Sequence, residues 1–154
     1  RPADANEAIV ASKLAFEQTA RPALVLLTRQ GLPVFDRSQY PSAEQFRKGG
    51  YIMSDCECDP DVVIISTGSE VWVALEVQEI LKNINVRIVN LGCWELFDEQ
   101  PEVYREVVLG NLSALRVSLL FILSIFDCLI SYSLGISFGL FRLPTDIDRL
   151  LCSL

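Results

Sequence analysis

Arg29 is the residue best placed for chemistry in this chain, because of what flanks it. It lies in Leu27-Thr28-Arg29-Gln30-Gly31-Leu32-Pro33. The preceding run, Ala23-Leu24-Val25-Leu26-Leu27, is unbroken apolar sequence, which suits a strand buried on both faces of a parallel sheet. Gly31 and Pro33 then break the chain. Arg29 is thereby expected at the carboxyl end of a central strand, the edge where open α/β sheets collect ligands. A guanidinium there can hold a phosphate in a bidentate fork. The plainer alternative is a surface or ion-paired arginine.

Other chemistries are narrowed by what the sequence contains. With 0 histidines, no Ser-His-Asp or Cys-His arrangement and no histidine-based metal site can be assembled. The 5 cysteines, an odd count, suggest reduced thiols. Cys56-Glu57-Cys58 lacks the spacing of a zinc knuckle and has no second pair. The pairs Glu95/Asp98 and Asp59/Asp61 have no supporting residues as acid/base couples and read as solvated capping carboxylates. Amides after Thr67-Gly68 could hold an anion at a helix start, but the turn lacks Gly-x-Gly-x-x-Gly spacing and suits a tight strand-to-helix connection.

A chain of 154 residues with a 51% hydrophobic fraction suits one modest domain, or a small domain with part of another. A net charge of −7 and no basic run argue against a nucleic-acid partner, whose phosphates demand clustered Lys and Arg. A single anionic substrate is still compatible, since one pocket can be locally positive. The chain starts at Arg1, inside a motif, without a basic segment leading into an apolar one. The start therefore reads as a cut through a longer protein with no secretory signal.

The elements that must position Arg29 follow from periodicity and punctuation. Asp4-Ala5-Asn6-Glu7 can form a capping box, with Asp4 accepting from the Glu7 amide and Glu7 reaching back. A helix then spans about 5–18, with Ala8, Ala11 and Ala15 forming a buried face of small residues. Pro22 marks entry to the strand ending near Thr28. Residues 31–48 read as a connector, with Ser42 capping a short helical turn. Val62-Val63-Ile64-Ile65 is a buried strand, Ser69 a helix cap, Glu70 to Lys82 a helix and Val86 to Val89 the next strand. This βαβ unit should cross over right-handed. Trp94 and Phe97 are expected to pack under a loop, and a short helix follows from about Pro101 to Leu109. The fold class is α/β: a mostly parallel open sheet with flanking helices.

Several segments carry a family resemblance. Thr28-Arg29-Gln30-Gly31-Leu32-Pro33 resembles the Ser/Thr-Arg-Gln-Asn-Leu-Pro motif of transketolases, with Gly31 where the family usually has Asn. Arg1-Pro2-Ala3-Asp4-Ala5-Asn6-Glu7 resembles the family's Arg-Pro-Ala-Asp-x-Asn-Glu. Gly49-Gly50-Tyr51, Thr67-Gly68-Ser69-Glu70-Val71, Cys93-Trp94-Glu95-Leu96-Phe97 and Tyr104-Arg105-Glu106 follow in transketolase order. The resemblance implies a three-layer, Rossmann-like C-terminal domain. It divides the chain into the end of a pyrimidine-binding domain (1–30), a linker (31–48), the C-terminal α/β domain (49–118) and a divergent apolar tail (119–154).

The resemblance also implies an activity for the intact enzyme. A two-carbon ketol unit moves from a ketose phosphate to an aldose phosphate, with thiamine diphosphate and a divalent cation (Mg or Ca), usually in a cytoplasmic homodimer. An organellar location would follow if a transit peptide lay upstream. Arg29 would hold the substrate phosphate; no other residue is assigned to substrate, cofactor or metal. This chain alone is expected to be inactive, lacking the diphosphate-binding domain and most of the pyrimidine-binding domain.

After Arg116-Val117-Ser118 the family pattern stops. The expected cause is a C-terminus substituted by a shifted reading frame or altered splicing. The alternatives are a divergent sheet edge and a membrane span over 117–141. The span would place Asp127 near its centre, at a cost of about 2.5–3.5 kcal/mol. A different class of function, a non-catalytic interaction or regulatory module attached to a membrane through 117–141, is the competing reading.

Overall fold

In the computed structural model the residues described are 1–110 and 114–118. The chain divides into Arg1–Leu120 and Phe121–Leu154, and the second unit lies outside the described residues. The expectations for a substituted tail, a membrane span or a folded edge over 119–154 therefore fall outside them as well. Among the described residues, no helix is long and apolar enough to cross a membrane.

The centre of the fold is a four-stranded sheet: β1 (Gly50–Ser54), β2 (Val62–Ser66), β3 (Val86–Leu91) and β4 (Leu115–Ser118), in the order β1-β3-β2-β4. β2 runs parallel to both β3 and β4, while β1 pairs antiparallel with β3 at one edge. The sheet is thus mostly parallel, as expected. β1 and β4 are additions to the strands legible in the sequence.

Alternation along the strands sorts side chains into two cores. On one face Tyr51, Met53, Ile64, Val86 and Ile88 pack with Val71, Ala74 and Leu75 of α2 (Glu70–Ile80). On the other, Val63, Ile65, Val89 and Leu91 pack with Phe97 of the short helix α3 (Trp94–Asp98) and Val108 of α4 (Glu102–Leu109). Helices on both faces bury Val63, Ile64 and Ile65 of β2, which is why its sequence is continuously hydrophobic there. Phe97 is buried within a helix rather than under a loop.

Helix α1 (Ala5–Glu17) forms almost where the capping signal placed it, with Asp4 Oδ1 accepting from the Glu7 amide at 2.8 Å. Its buried residues are Glu7, Val10 and Ala11, not an alanine stripe; Ile9 and Phe16 face outward. Ser42 caps a 3-10 helix, Ala43–Lys48, through the Glu44 amide. Ser69 does not cap α2: its backbone is already helical and its side chain makes no cap bond, because a tight turn from Thr67 leads directly into the helix.

The expected strand over Ala23–Thr28 does not form. This segment has no ladder with β1–β4, and Leu24, Leu26 and Leu27 are exposed. The physical reason is that a strand of this kind is made by its neighbours. A buried parallel strand needs a hydrogen-bonding partner, and among the described residues none is offered to it.

Candidate functional site

The most elaborate polar cluster is built around two acids that the sequence presents only as helix-capping residues. Glu7 is fully buried. Its Oε2 accepts from the Ala3 amide at 2.9 Å, so it reaches back past its own cap residue. Tyr51 donates its hydroxyl to Glu7 Oε1, and Asn90 Nδ2 donates to both oxygens at 2.9 and 3.1 Å. Tyr51 and Asn90 are opposite each other in the β1–β3 register, so the sheet presents a matched pair of donors to the helix. A carboxylate removed from water needs such donors to stay charged.

Asp4 is the second buried acid. While Oδ1 caps α1, Oδ2 accepts from the Phe35 amide at 3.1 Å and from Arg37 Nη2 at 2.9 Å. The Arg37 guanidinium also lies 3.5 Å from Glu7 Oε1 and donates to the Pro41 carbonyl at 2.8 Å. The Phe35 ring stacks on Trp72 of α2 with centroids 4.0 Å apart and planes 7° from parallel. Burial, followed by the charge of Glu7 and its hydrogen bond, pushes the Tyr51 phenol well above its usual range, so it remains a donor.

Arg29 lies on the exposed stretch between α1 and this cluster. Among the described residues, no carboxylate is within salt-bridge distance of it. An open cleft of about 180 Å³ is lined by Pro2, Asp4, Ala5 and Ala8 on one side and by Leu27, Thr28 and Leu32 on the other. Arg29 sits in sequence between those last two. Ligand pockets usually enclose about 300–1,000 Å³, so this cleft is too small to be a complete ligand pocket by itself.

The remaining sequence candidates are scattered. At the Thr67-Gly68 turn, Arg1 and Glu70 lie close above Gly68 and form an ion pair of 3.6 Å, so the turn is covered by side chains of the chain itself. Asp61 accepts from the backbone and side chain of Asn85 at 3.2 and 3.0 Å, tying the start of β2 to the loop before β3. Glu95 lies near Cys93, whose thiol donates to it at 3.4 Å. Asp55, which the sequence does not single out, pairs with Arg87 at 2.7 Å. In each of the pairs Glu95/Asp98 and Asp59/Asp61, one acid has a local partner, Cys93 for Glu95 and Asn85 for Asp61.

With this geometry in view, comparison with known proteins decides the family. The profile of the Transketolase-like TK C-terminal domain matches residues 49–126, which includes all four strands. This chain belongs to the transketolase family. It is 53% identical to the transketolase of Aquifex aeolicus over 111 residues, covering 71% of this chain and 16% of that protein. It is 42% identical to the chloroplastic transketolase-1 of Arabidopsis thaliana over 123 residues, covering 77% of this chain and 16% of that one. Among solved structures it resembles the Leishmania mexicana transketolase, with a TM-score of 0.70 and 34% identity over 77% of this chain and 17% of that chain. It also resembles the Pichia stipitis transketolase solved with sedoheptulose-7-phosphate, with a TM-score of 0.64 and 38% identity over 70% of this chain and 16% of that chain. The chain thus spans about 16% of the length of these curated transketolases.

The family implies thiamine diphosphate and a divalent cation. Among the described residues, no three Cys, Asp or Glu side chains come together as a metal-holding set. The two buried acids, Asp4 and Glu7, already have their oxygens engaged by amides, Tyr51, Asn90 and Arg37. These residues do not fit the cation, and we assign none of them to it or to the cofactor.

Proposed function

We propose that this chain is the C-terminal part of a transketolase and that Arg29 holds the phosphate of its sugar substrates. In this reading residues 1–30 end the pyrimidine-binding domain, 31–48 link it onward, 49–118 form the C-terminal domain and 119–154 are a divergent tail. The observation that carries it is the 53% identity to a transketolase over 111 residues. Two Pichia stipitis neighbours solved with sedoheptulose-7-phosphate and xylulose-5-phosphate favour sugar phosphates as ligands.

The intact enzyme moves a two-carbon ketol unit between sugar phosphates, as a cytoplasmic homodimer. Thiamine diphosphate, held by parts of the enzyme outside this chain, would supply the carbanion stabilisation. The contribution of this chain is positional. Arg29 grips the anionic end of the sugar, remote from the reacting carbon, and so limits misorientation there. Arg29 is exposed, follows Thr28 of the cleft wall in sequence and has no salt-bridge partner among the described residues, which suits that role. No observation favours the non-enzymatic, membrane-attached reading.

Arg29→Ala in the intact enzyme tests the assignment. KM for phosphorylated sugars should rise by the equivalent of about 1.5–3 kcal/mol, the worth of hydrogen bonds to a charged group. Unphosphorylated acceptors should lose much less. An equal loss on both classes would make Arg29 a structural residue.

A further inference from the structure

We propose that Cys56 and Cys58 form a two-thiolate site for a soft monovalent cation of the cuprous class. Both lie in the loop from β1 to β2, where the chain bends at positions 57 and 58. Cys56 Sγ donates to the Cys58 carbonyl at 2.9 Å, so the first sulfur is already folded onto the backbone that carries the second. The two ends of the loop are fastened to β3 and the turn before it. At the start, Asp55 accepts from Arg87 Nε and Nη2 at 2.7 and 3.1 Å and from the Cys56 amide at 3.0 Å. At the end, Pro60 restricts the backbone and the Asp61 amide donates to the Asn85 carbonyl at 2.8 Å.

The donor set selects the ion. Cys58 is exposed, Cys56 is half-buried, and neither is in a disulfide. Thiolate sulfur is a soft ligand that favours cuprous ion over hard cations. A structural zinc ion takes four ligands, and among the described residues no third Cys, Asp or Glu joins this pair. A cuprous ion is satisfied by two sulfurs in line, so the pair suffices. The cysteines alternate with acids in Asp55-Cys56-Glu57-Cys58-Asp59. Those carboxylates concentrate cations at the loop and repel anionic oxidants such as glutathione disulfide. Burial, and then Asp55, raise the Cys56 pKa, which slows oxidation of the pair to a disulfide. Binding is coordination without electron transfer. Each thiol releases its proton to water, each sulfur gives one lone pair to the metal, and the copper stays cuprous.

The test uses the intact enzyme carrying this segment, reduced and under nitrogen, with cuprous ion added as its acetonitrile complex and bicinchoninate as competitor. Iodoacetamide labelling read by tandem mass spectrometry should show Cys56 and Cys58 protected together by the metal, with labelling of Cys93 unchanged. Cys56→Ser and Cys58→Ser should each retain about one copper per chain less than the parent, whereas Cys93→Ser should retain as much as the parent. Zinc at the same concentration should protect neither Cys56 nor Cys58. Protection of one cysteine without the other, copper retention unchanged in either serine variant at the loop, or equal protection by zinc would overturn the proposal. The labelling arm needs no variant, so a serine variant that fails to fold leaves the proposal open to refutation.

Discussion

Asn90 Nδ2 contacts both carboxylate oxygens of Glu7, a residue 83 positions earlier, at 2.9 and 3.1 Å. The contact fixes the orientation of the amide, since a flipped Asn90 would set its carbonyl oxygen against an anion. It also joins the first helix to the middle of the sheet by a fully buried charge. Glu7→Gln removes that charge and replaces one acceptor by a donor facing Tyr51 or Asn90. The variant should lose roughly 3 kcal/mol in urea unfolding of the folded enzyme, the usual penalty for breaking a buried, hydrogen-bonded charge. A loss below about 1 kcal/mol would mean that the cluster is wetter than its burial indicates.

Tyr51 gives the same cluster a signature at high pH. Its folded pKa is raised above the ordinary 10.0, first by burial and then by Glu7. Above pH 10 the unfolded phenol releases its proton while the folded one keeps it, so the folded state binds more protons. The stabilisation is therefore complete below pH 10 and is lost as pH rises toward the folded pKa. Urea midpoints from pH 8 to 11 should fall above pH 10, and Tyr51→Phe should flatten that fall. A slope unaffected by Tyr51→Phe would assign it to other groups, with Tyr104, also raised by burial, the next to examine.

These two residues also mark the limit of what the sequence discloses. The βαβ unit was legible because Val62 to Ile65 is a continuous apolar run and the residues after Ser69 repeat at helical spacing. The start of α1 was legible because capping is local chemistry. The partners of Glu7 were not, since nothing near position 7 indicates that positions 51 and 90 will face it across a sheet. β1 is not legible in the sequence because Gly-Tyr-Ile-Met-Ser has no clean alternation; its ladder with β3 makes it a strand. The run before Arg29 is the opposite case: its local pattern is strand-like, and among the described residues it meets no ladder.

Thiol reactivity offers a check on the surface around the sheet. Cys58 is exposed, whereas Cys56 and Cys93 are half-buried. Burial is the largest influence raising the pKa of both, with Asp55 adding to it at Cys56. The thiolate is the nucleophile, so iodoacetamide at pH 8 should modify Cys58 before Cys56 and Cys93, and raising the pH should accelerate Cys93. Peptide mapping over a time course reads this order; Cys93 labelled first would contradict its placement at the start of α3.

Gly49 joins the 3-10 helix to β1 at a point where no side chain fits. Its φ is +80°, and a Cβ there would lie 2.3 Å from both the Cys93 carbonyl oxygen and the Phe97 amide nitrogen. Both obstacles are backbone, and the Cys93 amide is itself held 2.9 Å from the Gly49 carbonyl, so neither can move cheaply. Gly49→Ala should destabilise by roughly 2–5 kcal/mol, combining the left-handed backbone penalty with overpacking. Gly31, two residues after Arg29, is the contrast: a Cβ there meets nothing within 4 Å and its φ is not positive. Gly31→Ala should stay within about 0.5 kcal/mol of the parent chain, as surface substitutions usually do. Equal midpoints for the two variants would show that the approach of α3 to Gly49 is looser than these distances.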